Sequence, residues 1–209
     1  MKKLIIVFVS SLWMSTVFAT VKPITVGVDY TLLSAPVPVT NEPKGVVNVK
    51  EFFSFTCIHC KNTEPLVEQI LVPNKKIDLN KIQVTWGTDA TLNGYAKLNA
   101  TLQRSKLDKL YIPAFTAIFN QQNLTNPDVL KAFLAQNGLN ADQVQQFMAM
   151  YNSFTIGAKV GEYKILTNSY NISGTPTFVV ADKYMVSPAE PARAMEVIQY
   201  LVNKVNSGK

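Results

Sequence analysis

The sequence predicts an α/β fold in which one sheet domain is interrupted by an all-helical insertion. Three observations carry this. Residues 46–55 form a near-continuous apolar run, the pattern of a central strand covered on both faces. Residues 88–168 hold several helical stripes and no convincing strand. A hairpin pattern, Thr177-Phe178-Val179-Val180 and Tyr184-Met185-Val186 around Ala181-Asp182-Lys183, then returns the chain to a sheet before a closing amphipathic stretch.

Residues 21–42 carry Pro23, Pro36 and Pro38 and read as an extended arm, with one edge strand at 24–28. The apolar run 46–55 leads through Thr56 into Cys57-Ile58-His59-Cys60, and residues 61–71 read as a helix. Ile82-Gln83-Val84-Thr85-Trp86 alternates as a strand does. In the helical block, Leu92, Tyr95, Ala96, Leu98 and Leu102 share one stripe, and Val129, Leu130, Phe133 and Leu134 another. Asn126-Pro127-Asp128 opens a helix that Gly138 ends, and Asn140 with Gln143 forms a capping pair for the next. From 191 to 205, Met195, Ile198, Leu201, Val202 and Val205 define one inward face. The division is 1–19 leader, 20–87 with 169–209 as the sheet domain, and 88–168 as the insertion.

Of 209 residues, 47% are hydrophobic and 16% charged, with a formal charge of +6. This composition excludes intrinsic disorder, collagen and coiled coil. After the first 19 residues the only adjacent basic pair is Lys75-Lys76, so no basic stripe for nucleic acid exists. Two cysteines and one histidine exclude a disulfide-dense scaffold and any four-cysteine metal centre.

Lys2 and Lys3 precede an apolar core that ends at Val17-Phe18-Ala19. A basic start, a short apolar core and small residues before a cut describe a secretory leader, cleaved after Ala19. Ser10, Ser11, Ser15 and Thr16 interrupt that core, which is shorter than the roughly 20 apolar residues a membrane span needs. Export places both cysteines where disulfides persist.

The chemistry sits at Cys57-Ile58-His59-Cys60. The thiolate is the nucleophile in thiol–disulfide exchange, and the partial positive charge at a helix start favours it. Cys57, at the cap, is the attacking residue; Cys60, one turn on, resolves the mixed disulfide. His59, between them, can offer the Cys57 thiolate a hydrogen bond or positive charge. As a structural staple, a four-residue loop would contribute only roughly 1.9 kcal/mol, against about 3 for a fifteen-residue loop. A metal is disfavoured, because His59 beside Cys60 cannot easily join Cys57 in one tetrahedron.

Glu51-Phe52-Phe53-Ser54-Phe55-Thr56-Cys57-Ile58-His59-Cys60 resembles the active-site strand and helix start of the DsbA family of periplasmic disulfide oxidoreductases. Pro65 matches the helix proline of the wider thioredoxin superfamily, and Ile172-Ser173-Gly174-Thr175-Pro176-Thr177-Phe178 is similar to its cis-proline loop. The helical block matches the family's insertion in place and length. The resemblance implies a thioredoxin fold and a cis Pro176 beside Cys57. It also implies a Thr175 backbone that pairs with a substrate strand, and substrate contact at Ile58. Glu51 and Lys81 match the family's buried charged pair, with Glu51 a proton acceptor for Cys60. The implied activity is oxidation of unfolded secreted proteins, followed by reoxidation by a membrane quinone-linked, DsbB-like partner, with no soluble cofactor and no metal. Thr175 resembles disulfide isomerases and reductases, the alternative reading; a non-redox periplasmic chaperone is the alternative of a different class.

Overall fold

The computed structural model describes residues 22–34, 45–187 and 190–208. The leader and its expected cut after Ala19 lie outside them, as do Pro36 and Pro38 of the arm. Five strands form one sheet: β1 (Thr31–Leu32), β2 (Val47–Phe53), β3 (Ile77–Gln83), β4 (Thr177–Val180) and β5 (Tyr184–Val186), in the order β1-β5-β4-β2-β3. Strand β2 runs parallel to β3 and antiparallel to β4, which sets Glu51 beside Lys81 and Phe178.

The near-continuous apolarity of β2 follows from its place inside the sheet. Val47 and Val49 face a cluster with Val67, Leu71 and Phe178 that is closed by Met195, Ile198, Leu201 and Val202 of helix α7 (Pro191–Asn206). Phe52 faces the opposite way, with Ile82 and Val179, against Ala96, Ala100, Ile156 and Tyr163. Those four residues belong to helices α2 (Ala90–Arg104) and α6 (Phe154–Ser169), so the helical block also covers one face of the sheet.

Two expected strands are shifted. Residues 24–28 close on themselves: Val28 and Asp29 N–H groups donate to the Thr25 carbonyl, and the Asp29 carboxylate accepts from Thr25 N–H. Gly27 adopts φ +80°, which the turn requires and an extended strand does not. The edge strand is β1, paired with β5. Strand β3 begins at Ile77, five residues before the alternating stretch, because its ladder to β2 uses backbone groups that are indifferent to Asp78 and Asn80. As the edge strand next to β2, it leaves Asp78 exposed and Asn80 half-buried.

Helix α1 (Ile58–Leu66) starts at the Cys-x-x-Cys pair, three residues earlier than expected. Pro65 lies inside it and has no N–H to donate back one turn, and the helix widens into a π-helical stretch at Val67–Leu71. The block between β3 and β4 contains α2, α3 (Tyr111–Phe119), α4 (Pro127–Gln136), α5 (Ala141–Tyr151) and α6. Asn126 caps α4, and Asn140 with Gln143 closes the expected capping box of α5. Phe53 and Phe55, at the outgoing end of β2, insert among Tyr95, Tyr111 and Phe115 of this block, with ring centroids 5.1–6.0 Å apart. The expected α/β fold with its helical block is the one observed.

Glycine in a helix interior ordinarily gains by replacement with alanine, by up to about 1 kcal/mol. Gly94 of α2 is an exception, because a Cβ there would lie 2.6 Å from Thr125 Cγ2. Thr125 is pinned by its own N–H and hydroxyl to Asn123 Oδ1. Gly94→Ala is expected to destabilise by about 1–3 kcal/mol, the usual cost of overpacking, as read by urea denaturation; a gain in stability would show that the loop yields freely.

Candidate active site

The last residues of β2 carry the chain out of the sheet and directly into α1. Cys57 N–H donates to the Ser54 carbonyl at 2.9 Å, and the Cys57 carbonyl accepts from Lys61 N–H at 3.0 Å. Cys57 is thereby the N-cap of α1, in extended geometry (φ −91°, ψ 119°), and its sulfur accepts from Cys60 N–H at 3.4 Å. Both cysteines are free; Cys57 is partly exposed and Cys60 fully buried.

One environment shifts the two thiols in opposite directions. The Cys57 pKa is lowered to about 5, chiefly because the Cys60 thiol donates to its sulfur. Thr175 and the backbone N–H groups of Cys60 and His59 add to this against the cost of burial. Cys60 is pushed far above the ordinary thiol value, first by burial and then by its bond to Cys57. His59 acts here through its backbone N–H; its side chain is exposed.

The second loop of the site closes over Cys57. The Thr175–Pro176 peptide bond is cis, and the Thr175 carbonyl lies 3.3 Å from the Cys57 sulfur, positioned to accept from the thiol. Trp86 Nε1 donates to the Ile172 carbonyl at 2.9 Å, and the Thr177 hydroxyl to the Gly174 carbonyl at 2.9 Å, so the loop is tied at both ends. Pro176 is buried, Thr175 partly exposed, and Ile58 46% exposed, an apolar side chain open to a partner.

Glu51 and Lys81 are register partners on β2 and β3, both buried. Lys81 Nζ lies 3.7 Å from Glu51 Oε2, an ion-pair distance beyond hydrogen-bond reach. Its hydrogen-bonded partner is instead Glu64 of α1, and it stands over the Tyr111 ring at 3.6 Å. Both Glu51 oxygens are buried without a hydrogen-bond partner. Burial raises the Glu51 pKa to about 8, with Lys81 opposing and Glu64 reinforcing the shift.

Glu64 escaped the sequence reading, yet it left a signal. Cys60, Glu64, Val67 and Leu71 fall on one buried helical stripe, and a carboxylate in such a stripe calls for a buried cation. Gln83 also escaped, since an amide in an alternating strand carries no mark of where its side chain reaches.

The lowered Cys57 pKa sets a pH dependence. The folded dithiol binds fewer protons than the unfolded chain, whose thiols titrate near ~8.5, so stability rises with pH across that window. Ultraviolet thiolate absorbance of the reduced protein is expected to show one acidic transition near pH 5. The contribution of Cys57 to stability of the reduced form, read as the difference between wild type and Cys57→Ser, should be lost as pH falls from about 8.5 toward that value, and Cys57→Ser should lack the acidic transition.

The chain matches the family model described as DSBA-like thioredoxin domain over residues 74–199, downstream of the cysteine pair. Whole-chain likeness covers the pair as well. The thiol:disulfide interchange protein DsbA of Burkholderia cepacia is 33% identical over 218 aligned residues, covering 100% of each chain. The DsbA of Pseudomonas syringae pv. tomato is 29% identical, covering 88% of this chain and 85% of that one. Among solved structures, the oxidoreductase NmDsbA1 from N. meningitidis superposes with a TM-score of 0.73 at 29% identity, covering 87% of this chain and 94% of that one. Pseudomonas aeruginosa DsbA superposes with a TM-score of 0.76 at 27% identity, covering 88% and 96%. The alignment reaches the ends of the Burkholderia protein and the superpositions span sheet and helical block alike: this chain belongs to the DsbA-like thioredoxin family.

Proposed function

We infer that this chain is a thiol–disulfide oxidoreductase that introduces disulfides into exported, unfolded proteins through a Cys57–Cys60 redox pair. The observation that carries the reading is the opposite shift of the two thiols: a partly exposed sulfur favoured as thiolate beside a buried one favoured as thiol. In the oxidised enzyme a substrate thiolate attacks Cys57 Sγ, the Cys57–Cys60 bond breaks, and Cys60 leaves with the electron pair and takes up a proton. A second substrate thiolate then attacks the substrate sulfur of the mixed disulfide. The substrate disulfide forms, and Cys57 departs as a thiolate, a good leaving group because its pKa is low. Two electrons thus pass from substrate to the pair, and a membrane quinone-linked, DsbB-like partner is the proposed acceptor that restores the disulfide.

The remaining roles follow from position. Ile58, Thr175 and Pro176 border the Cys57 sulfur and form the proposed substrate surface, where the Thr175 backbone receives an extended peptide as an added strand. His59 lines the same rim. Glu51, whose raised pKa lies near neutrality, is the proposed proton acceptor for Cys60 when the pair is reoxidised and, in reverse, the donor of the proton that Cys60 takes up on leaving, with Lys81 opposing the rise in its pKa. Residues 20–87 with 169–209 form the proposed catalytic domain and 88–168 the proposed insertion. The proposed site of action is the periplasm, reached by cleavage of the leader after Ala19.

Cys57→Ser and Cys60→Ser are both expected to abolish oxidation of a reduced, unfolded test protein, whereas Cys60→Ser alone, offered a disulfide-bearing protein, should attack it through Cys57, release one substrate thiolate and accumulate the unresolved mixed disulfide. A chaperone that only held unfolded chains would keep its activity in Cys57→Ser, and an isomerase would rearrange scrambled disulfides faster than it forms new ones. For Glu51 the raised pKa means the folded state retains a proton that the unfolded state loses. Its contribution is therefore lost as pH rises from the ordinary carboxylate range through about 8. Glu51→Gln should remove that loss, raising Tm above neutral pH, and should slow turnover by about 100-fold, the low end of what a positioned proton-transfer group contributes.

A further inference from the structure

The parallel ladder between β2 and β3 ends in an unusual way. The last register pair is Phe53 with Gln83, and Val84 N–H donates to the Phe53 carbonyl at 2.9 Å. In a regular parallel ladder the next bond runs from Phe55 N–H to the Val84 carbonyl. That rung is open. The Gln83 carboxamide stands in it: Oε1 accepts from Phe55 N–H at 2.9 Å, and Nε2 donates to the Val84 carbonyl at 3.0 Å. Nε2 also lies 3.3 Å from Ser54 Oγ, which in turn accepts from Thr56 N–H at 3.3 Å. The side chain is fully buried, so neither backbone group could turn to water in its place.

The inserted amide does more than satisfy polar groups. By holding the strands apart by one carboxamide, it lets β2 leave the sheet at Ser54 and still keeps the departing segment fixed. Ser54 is the residue whose carbonyl takes Cys57 N–H, and Cys60 N–H in turn donates to the Cys57 sulfur. Both cysteines therefore hang on a turn that is anchored at one point to β3. We propose that Gln83 is a positioning residue for the redox pair, its carboxamide splinting the opened rung so that the turn presents Cys57 at the helix N-terminus. The chemistry suits this role because an amide offers an acceptor and a donor on opposite sides, as the open rung demands. An apolar isostere offers neither, and an unpartnered Phe55 N–H would pull the turn back toward the Val84 carbonyl.

The proposal rests on the redox reading of Cys57 and Cys60, and the experiment separates the two. In wild type, Gln83→Leu and Ser54→Ala, the Cys57 thiolate titration and the redox equilibrium against glutathione are measured. Leu201→Ala, buried in α7 and matched for loss of Tm, serves as a control that weakens the fold without touching the turn. Gln83→Leu should raise the Cys57 midpoint by at least about one pH unit and shift the redox equilibrium constant at least about tenfold. Ser54→Ala should move both in the same direction by less, and Leu201→Ala should leave both unchanged. Should Gln83→Leu fail to fold, Ser54→Ala against the control decides alone. An acidic wild-type midpoint that neither variant moves beyond the control overturns the role of Gln83 and leaves the redox reading standing. A wild-type midpoint at the free-thiol value overturns the redox reading itself.

Discussion

The seating of Cys57 at the cap of α1, its sulfur accepting from Cys60 N–H at 3.4 Å, is the constraint on which the rest of this molecule depends. The Cys60 thiol donates to Cys57, which lowers one pKa and raises the other. That division of labour holds only while Cys57 stays at the helix cap and Cys60 stays buried. The geometry is demanding, because the favourable field of a helix N-terminus fades within its first turn. Three independent anchors meet the demand. Strand β2 is held between β3 and β4 inside the sheet, Gln83 ties the departing turn to β3, and the loop around Pro176 closes over Cys57.

The helical block contributes to the same end. Phe53 and Phe55 flank the turn in sequence, and both are fully buried among aromatic rings of α2 and α3. Motion of the cysteine turn would have to unpack those rings, each of which removes a large apolar surface from water. Helices α2 and α6 also cover one face of the sheet, so the block is a wall of the domain as well as an addition to it.

Below the pair lies a charge arrangement with no slack. Lys81 bonds Glu64 and stands only at ion-pair distance from Glu51, leaving Glu51 without a hydrogen bond. A buried carboxylate in that state is costly when ionised, so its proton is retained into the neutral range. Structural ion pairs are ordinarily completed by hydrogen bonds, and a buried acid left incomplete is the kind of group that proton-transfer chemistry uses.

Much of this was legible in the residues. Apolar continuity marked β2 as central, cap residues marked α4 and α5, and Cys-x-x-Cys after a strand marked the reactive pair, since each is a local pattern with a local physical cause. What stayed hidden involves partners far apart in the chain. The start of β3 at Ile77 is a backbone ladder that polar side chains do not betray. The loop at 24–28 is decided by Gly27 and Asp29 turning the chain where an extended arm suggested an edge strand. The sequence by itself determined that a thiol pair would sit at the start of a helix behind a buried strand. Only the tertiary structure decided that Glu64, not Glu51, would bond Lys81, and that the Gln83 amide would fill an open rung. Those choices depend on distances between elements, and spacing along the chain does not encode them.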